Sequence, residues 1–167
     1  MARDMGEHVV GAYLKLEQGC DFVEYNVRPP TLGKDGQAEF DVVGFDFKSS
    51  TVCLCEVATH LNGLNYGGNS NSDTLKRITD KYRRQRNYAE RNLSRFANVR
   101  FMFWSPYVPR GYLTRNLDEI EGLELVINGR YRECVELLRA RAKAETRDSN
   151  EPFFRALQIL EHMKPWS

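Results

Sequence analysis

No run of about 18 apolar residues occurs in the 167-residue chain, so no segment reads as a membrane-spanning helix. The start, Met1-Ala2-Arg3-Asp4-Met5-Gly6-Glu7, lacks both the basic cluster and the apolar stretch of a secretory signal, which predicts an intracellular, cytoplasmic protein. Cysteine is sparse: there are four, none in a C-x-x-C pair, so spacing offers no metal knuckle and no redox motif. Cys20 and Cys134 stand alone, while Cys53 and Cys55 alternate along an apolar strand; reduced, buried thiols packing as small hydrophobes are expected. Repeats and low-complexity linkers are also missing, and the length suits one domain, 1–167, with a substantial core.

Net charge is nearly absent too, at +1, but its distribution is uneven. Between Thr74 and Arg115 eleven cations face only Asp80 and Glu90, a local +9, while the remaining 13 cations and 21 acids give −8. A basic middle beside an acidic remainder points to a polyanion partner, and a merely solvated, arginine-rich helix face is the alternative.

Periodicity predicts a helix over 8–18, ended by Gly19, then a strand over 21–27 stopped by Pro29-Pro30. Gly33 to Gly36 reads as a loop, followed by strands at 38–45 and 51–58 joined as a hairpin through Asp46–Ser50. The Gly/Asn-rich stretch from Gly63 to Ser72 reads as a loop, and a long polar helix from about Asp73 to Phe96 follows, capped by Ser72 or Asp73. Strands at 99–104 and 123–127 and helices near 130–145 and 151–163 complete an α/β domain with a mixed sheet. Phe101, Phe103 and Trp104, on an alternating strand, are expected in the core.

A turn centred between Lys48 and Ser49 places Asp41 directly opposite Glu56. Their neighbours Phe40, Val42, Val43, Cys55 and Val57 are apolar, so two acids interrupt two hydrophobic strands. Like charges so opposed are destabilising unless offset, and a hard cation held by both carboxylates is the economical offset. A shift of the turn by one residue would instead send one acid to a solvent-facing edge and the other to a surface ion pair.

The string Glu39-Phe40-Asp41-Val42-Val43-Gly44, a short hairpin, then Cys55-Glu56-Val57-Ala58 resembles the PD-(D/E)XK nuclease superfamily. The order of elements over about 8–127 is similar as well, with the helices of about 130–163 an addition. The resemblance implies a restriction-endonuclease-like core and metal-dependent phosphodiester hydrolysis of nucleic acid, DNA favoured. It implies a Mg²⁺ or Mn²⁺ site made by Asp41 and Glu56, with the Val57 carbonyl and the helix acid Glu17 as further ligands. The family's strand lysine is absent, since Ala58 stands at that position. Some members carry the lysine on the following helix, where Lys81, Gln85 and Tyr88 share one face; Lys81 is the expected substitute, with Gln85 as its polar neighbour. Lys76 and His60 are the other candidates for the lysine's task. Arg77, Arg84, Lys76 and Tyr88 are expected to contact nucleic acid, with Arg110 and Arg115 beyond the fourth strand, while Tyr66 either stacks on a base or packs on its own loop. Alternatives are a degenerate nuclease fold that binds nucleic acid or a protein without catalysis, or an immunity-type interaction domain. The two C-terminal helices either cap the sheet or form a homodimer surface.

Overall fold

The structure is a computed structural model that describes residues 4–30, 38–66, 68 and 70–165. The loop expected at Gly33 to Gly36 lies outside the described residues.

Asp4 starts the first helix: its carboxylate accepts the Gly6 N–H at 3.0 Å, so α1 (Met5–Leu16) begins earlier than the apolar periodicity suggests. Three antiparallel strands follow, β1 (Phe22–Val27), β2 (Phe40–Asp46) and β3 (Thr51–Val57). The β2–β3 turn is held by Asp46, whose carboxylate accepts the N–H groups of Lys48 and Ser49 at 3.0 and 3.2 Å, with Ser50 in the left-handed region at φ 52°. That turn fixes the expected register: Val42 opposes Cys55, Gly44 opposes Cys53 and Asp46 opposes Thr51.

The basic helix α2 spans Asn71–Asn92. Its cap is Ser70 rather than Ser72 or Asp73, because the Ser70 hydroxyl reaches the Asp73 N–H at 3.1 Å. It also stops before Phe96, which turns back to pack on Phe45 with ring centroids 5.8 Å apart. Strand β4 (Asn98–Ser105) then runs parallel to β3, and β5 (Leu123–Ile127) parallel to β4. Between them lies α3 (Tyr112–Asp118), which sequence periodicity did not predict; its seven residues bury only Leu113 and Leu117, too short a pattern to register. Helices α4 (Asn128–Ala144) and α5 (Pro152–His162) end the described fold. The result is an α/β fold whose five-stranded mixed sheet, ordered β1-β2-β3-β4-β5, is flanked by helices.

Strand alternation sends side chains to two layers. Val42, Cys53, Cys55, Met102 and Trp104 meet Val10, Tyr13 and Leu14 of α1, Cys134 and Leu138 of α4 and Phe154 of α5. Val43, Val52, Leu54 and Phe103 face the other way, toward Ile78 and Ala89 of α2 and Leu113 and Leu117 of α3. Phe103 and Trp104 are fully buried, and Phe101 packs edge-on to Tyr82 at 5.4 Å. Trp104 is wedged edge-on between Tyr13 at 5.3 Å and Tyr131 at 6.0 Å, an aromatic anchor joining α1, β4 and α4. Helices α4 and α5 cap the sheet, leaving Leu137, Ile159 and Leu160 exposed on their outer side. Among the described residues no helix is long and apolar enough to cross a membrane.

Candidate functional site

Asp41 and Glu56 lie one rung beyond the last paired residues of the hairpin, Val42 and Cys55. Residues opposed across an antiparallel pair share a face, here the α2 side of the sheet. The Asp41 carboxylate accepts the Val57 N–H at 2.7 Å, closing the ladder with a side chain. Glu56 is buried, only 4% exposed, although it carries an acid. Its Oε1 is ion-paired with the Lys81 ammonium and accepts the Tyr66 hydroxyl at 3.5 Å. Its Oε2 is buried with no hydrogen-bond partner.

Burial pushes the Glu56 carboxyl up to about 8, and the neighbouring Asp41 charge adds to it; Lys81 pulls the other way without winning. Burial also raises Asp41, opposed by the Val57 N–H and by Lys81. Burial and the Asp41 charge therefore favour the protonated form of Glu56 in the metal-free site.

Lys81 arrives through the geometry of α2. Thr74, Ile78, Tyr82, Gln85 and Ala89 form its buried stripe, and Arg77, Lys81 and Arg84 fall along one flank of that stripe. The Tyr66 N–H donates to the Thr74 hydroxyl at 3.3 Å, which folds the loop back and lays Tyr66 beside Glu56. The Arg77 guanidinium sits 4.8 Å from the centre of the Tyr66 ring, and the His60 ring meets the same tyrosine edge-on at 5.4 Å. Tyr66 thus roofs the carboxylate, a role carried by tertiary folding of a loop and without a local sequence signal. Lys76 and Arg84 are exposed on α2.

Several expected residues stand elsewhere. Gln85 is buried and donates its amide to the Glu39 carbonyl at 2.9 Å, so it fastens α2 to the start of β2 instead of lining the site. Tyr88 is half-buried and packs edge-on against Phe40 at 5.4 Å, among apolar neighbours. Glu17 caps the far end of α1 and pairs with Arg141 at 3.5 Å, away from the carboxylates. Ala58 joins the apolar cluster with Leu64 and Ile78. The basic segment is also less uniform than its charge suggests: Arg83 pairs with Asp80, Arg86 with Glu90, and Arg100 with Glu124 at 2.7 Å on the α1 side of the sheet.

The α1 acid that does feel Asp41 is Glu7. It is buried, accepts the Asn26 amide at 3.0 Å and is raised first by that burial. Gly6 explains its position. A Cβ there would lie 1.9 Å from Thr59 Oγ1 and 3.2 Å from a Val57 methyl, so glycine lets α1 cross close to the end of β3. That glycine beside an acid, just inside the helix start, was the available sequence signal.

Among the described residues no group of three or more His, Cys, Asp or Glu side chains is arranged to hold a metal ion. Asp41 and Glu56 make a two-carboxylate donor set. Mg²⁺ is commonly bound through one or two carboxylates, retained waters and substrate phosphate, so the donor number suits it. The unpartnered Glu56 Oε2 is the atom a cation would satisfy. Comparison with protein-family models, curated proteins and solved structures finds no match to this chain.

Proposed function

We propose that the protein is a metal-dependent phosphodiesterase acting on nucleic acid, DNA favoured, built on a restriction-endonuclease-like core. The order helix, antiparallel meander, helix, parallel strand supports that reading of the fold. Asp41 and Glu56, with the Val57 carbonyl, would hold Mg²⁺ or Mn²⁺, which lowers the pKa of a water and neutralises charge on a phosphodiester. Lys81 takes the place of the strand lysine that Ala58 lacks: its ammonium donates to the attacking water and to a scissile phosphate oxygen. Arg77 and Arg84 flank it on the same helix and hold adjacent phosphates, contacts that supply affinity without sequence preference. The proton that Glu56 retains in the free site leaves when a cation binds, so loading releases protons.

One observation carries this reading: a buried carboxylate oxygen with no partner, on Glu56, beside a second acid and an ammonium. The test is incubation with plasmid, single-stranded DNA and RNA, with Mg²⁺, Mn²⁺ or chelator. Cleavage that appears only with metal and is lost in Asp41→Asn supports it. A second reading, a degenerate nuclease fold that binds nucleic acid without cutting, is favoured by the Lys81 ammonium seated on Glu56 Oε1, beside the place a cation would take. It expects salt-sensitive binding and no cleavage with either metal.

A further inference from the structure

The other face of the sheet holds a second reactive cluster, independent of the carboxylates. We propose that Cys20 and Cys53 form an oxidisable thiol pair that reacts with hydroperoxide and closes to an intramolecular disulfide. Gly19, at φ 73°, turns the chain after α1, and the Cys20 N–H donates to the Leu14 carbonyl at 3.0 Å. This sets the Cys20 sulfur against Gly44, where an added Cβ would lie 2.9 Å from it. Gly44 is the ladder partner of Cys53, so the missing side chain is the space in which the two thiols meet. Both cysteines are free.

Three features separate this pair from ordinary buried thiols. Arg100 approaches the Cys53 sulfur at 4.0 Å and is itself fixed by Glu124 and Gln18. A cavity of about 370 Å³ is lined by both cysteines together with Arg100, Asp46, Thr51 and Asn98. The two thiols also differ in their surroundings: the Arg100 guanidinium lies against the Cys53 sulfur and favours a thiolate there. Cys53 is therefore the nucleophile and Cys20 the resolving thiol. Cys55, raised well by burial, and Cys134, also raised by burial, do not line the cavity.

The chemistry balances with a hydroperoxide as oxidant. The Cys53 thiolate attacks the peroxide oxygen, the O–O bond breaks, and sulfenic acid forms with release of hydroxide or alkoxide. The Cys20 sulfur then attacks the sulfenic sulfur, the S–O bond breaks, and the departing hydroxide takes the Cys20 proton as water. Two thiols lose two electrons and the peroxide gains them.

The experiment treats the folded chain with hydrogen peroxide, alkylates the remaining thiols after unfolding, and maps peptides without reduction. The expected result is loss of two of the four thiols, one Cys20–Cys53 linked peptide lighter by two hydrogens, and full reversal by dithiothreitol. In Cys20→Ser the sulfenic acid should persist on Cys53 and be trapped by dimedone. The map of the parent protein decides without any variant. Oxidation of Cys55 or Cys134 as fast as Cys53, links only between molecules, or four intact thiols would each overturn the proposal.

Discussion

Replacing Glu56 by glutamine should make the metal-free protein more stable, and increasingly so as pH rises. The carboxyl is held up at about 8 in the fold against an ordinary value of 4.5. Between those two values the folded state keeps a proton that the unfolded chain releases, so the folded state is favoured at low pH. That advantage is complete below 4.5 and is lost as pH climbs through 8. Each pKa unit is worth about 1.4 kcal/mol, which places the accumulated cost at pH 8 on the order of 3–5 kcal/mol. Glutamine keeps the shape and cannot ionise, so its stability should be flat across the same window apart from the lost Lys81 pair. In a domain of this size about 1 kcal/mol moves the melting temperature by roughly 2–4 °C. Denaturant titrations of both proteins at pH 5 and pH 8, in chelator, measure the difference directly. The gap should be small at pH 5 and reach several kilocalories at pH 8. Millimolar Mn²⁺ should then stabilise the parent at pH 8 and leave Glu56→Gln unmoved, since only a site that binds the folded state raises stability. A variant that is less stable than the parent at pH 8, or a gap independent of pH, would refute the argument that burial and Asp41 dominate over Lys81.

The remaining expectations concern chemistry, binding and packing. Asp41→Asn and Glu56→Gln should abolish metal-dependent cleavage, and Lys81→Ala should lower its rate ~10²–10⁴-fold, with Lys76→Ala milder, as followed by plasmid nicking. Reversing Arg77 and Arg84 to glutamate should weaken nucleic-acid binding equally across sequences and flatten its salt dependence, checked by anisotropy at several ionic strengths. Trp104→Ala removes the fully buried ring set between Tyr13 and Tyr131 and should cost about 3–5 kcal/mol in urea unfolding, with Asp41 and Glu56 chemically intact.

The features legible in the sequence were those set by short-range geometry. The Asp46–Ser50 turn determined the hairpin register and with it the opposition of Asp41 and Glu56. The resemblance, read with helical spacing, brought Lys81 forward as the substitute for the missing strand lysine, and the structure pairs it with Glu56. Helical spacing did not distinguish the residues that share its side of α2: Gln85 and Tyr88 were grouped with Lys81, yet the packing of the helix against β2 buries Gln85 on the Glu39 carbonyl and half-buries Tyr88 on Phe40. Glu17 stands away from the carboxylates while Glu7 feels Asp41, for a related reason. Both acids sit on α1, and only the crossing at Gly6, a tertiary contact, decides which end meets the sheet. Tyr66 lies in a loop that the Thr74 hydroxyl of α2 and the Arg77 guanidinium help to position, so nothing local announced its contact with Glu56.

The anchoring of α2 sets where the chain tolerates a change of length. The helix is fixed by Gln85 on the Glu39 carbonyl and by the Tyr82 hydroxyl on the Glu121 carbonyl, both within its own middle turns. An extra residue beside Gly68, which is exposed with open space around its Cα, lengthens only the approach to the helix and leaves Lys81 in place. The same residue inserted between Lys81 and Gln85 turns the ammonium by about 100° relative to the anchors and advances it about 1.5 Å. A change of length in that loop is thus decoupled from the carboxylate pair, whereas the stretch of α2 from Lys81 to Gln85 behaves as a fixed ruler between ammonium and helix anchor.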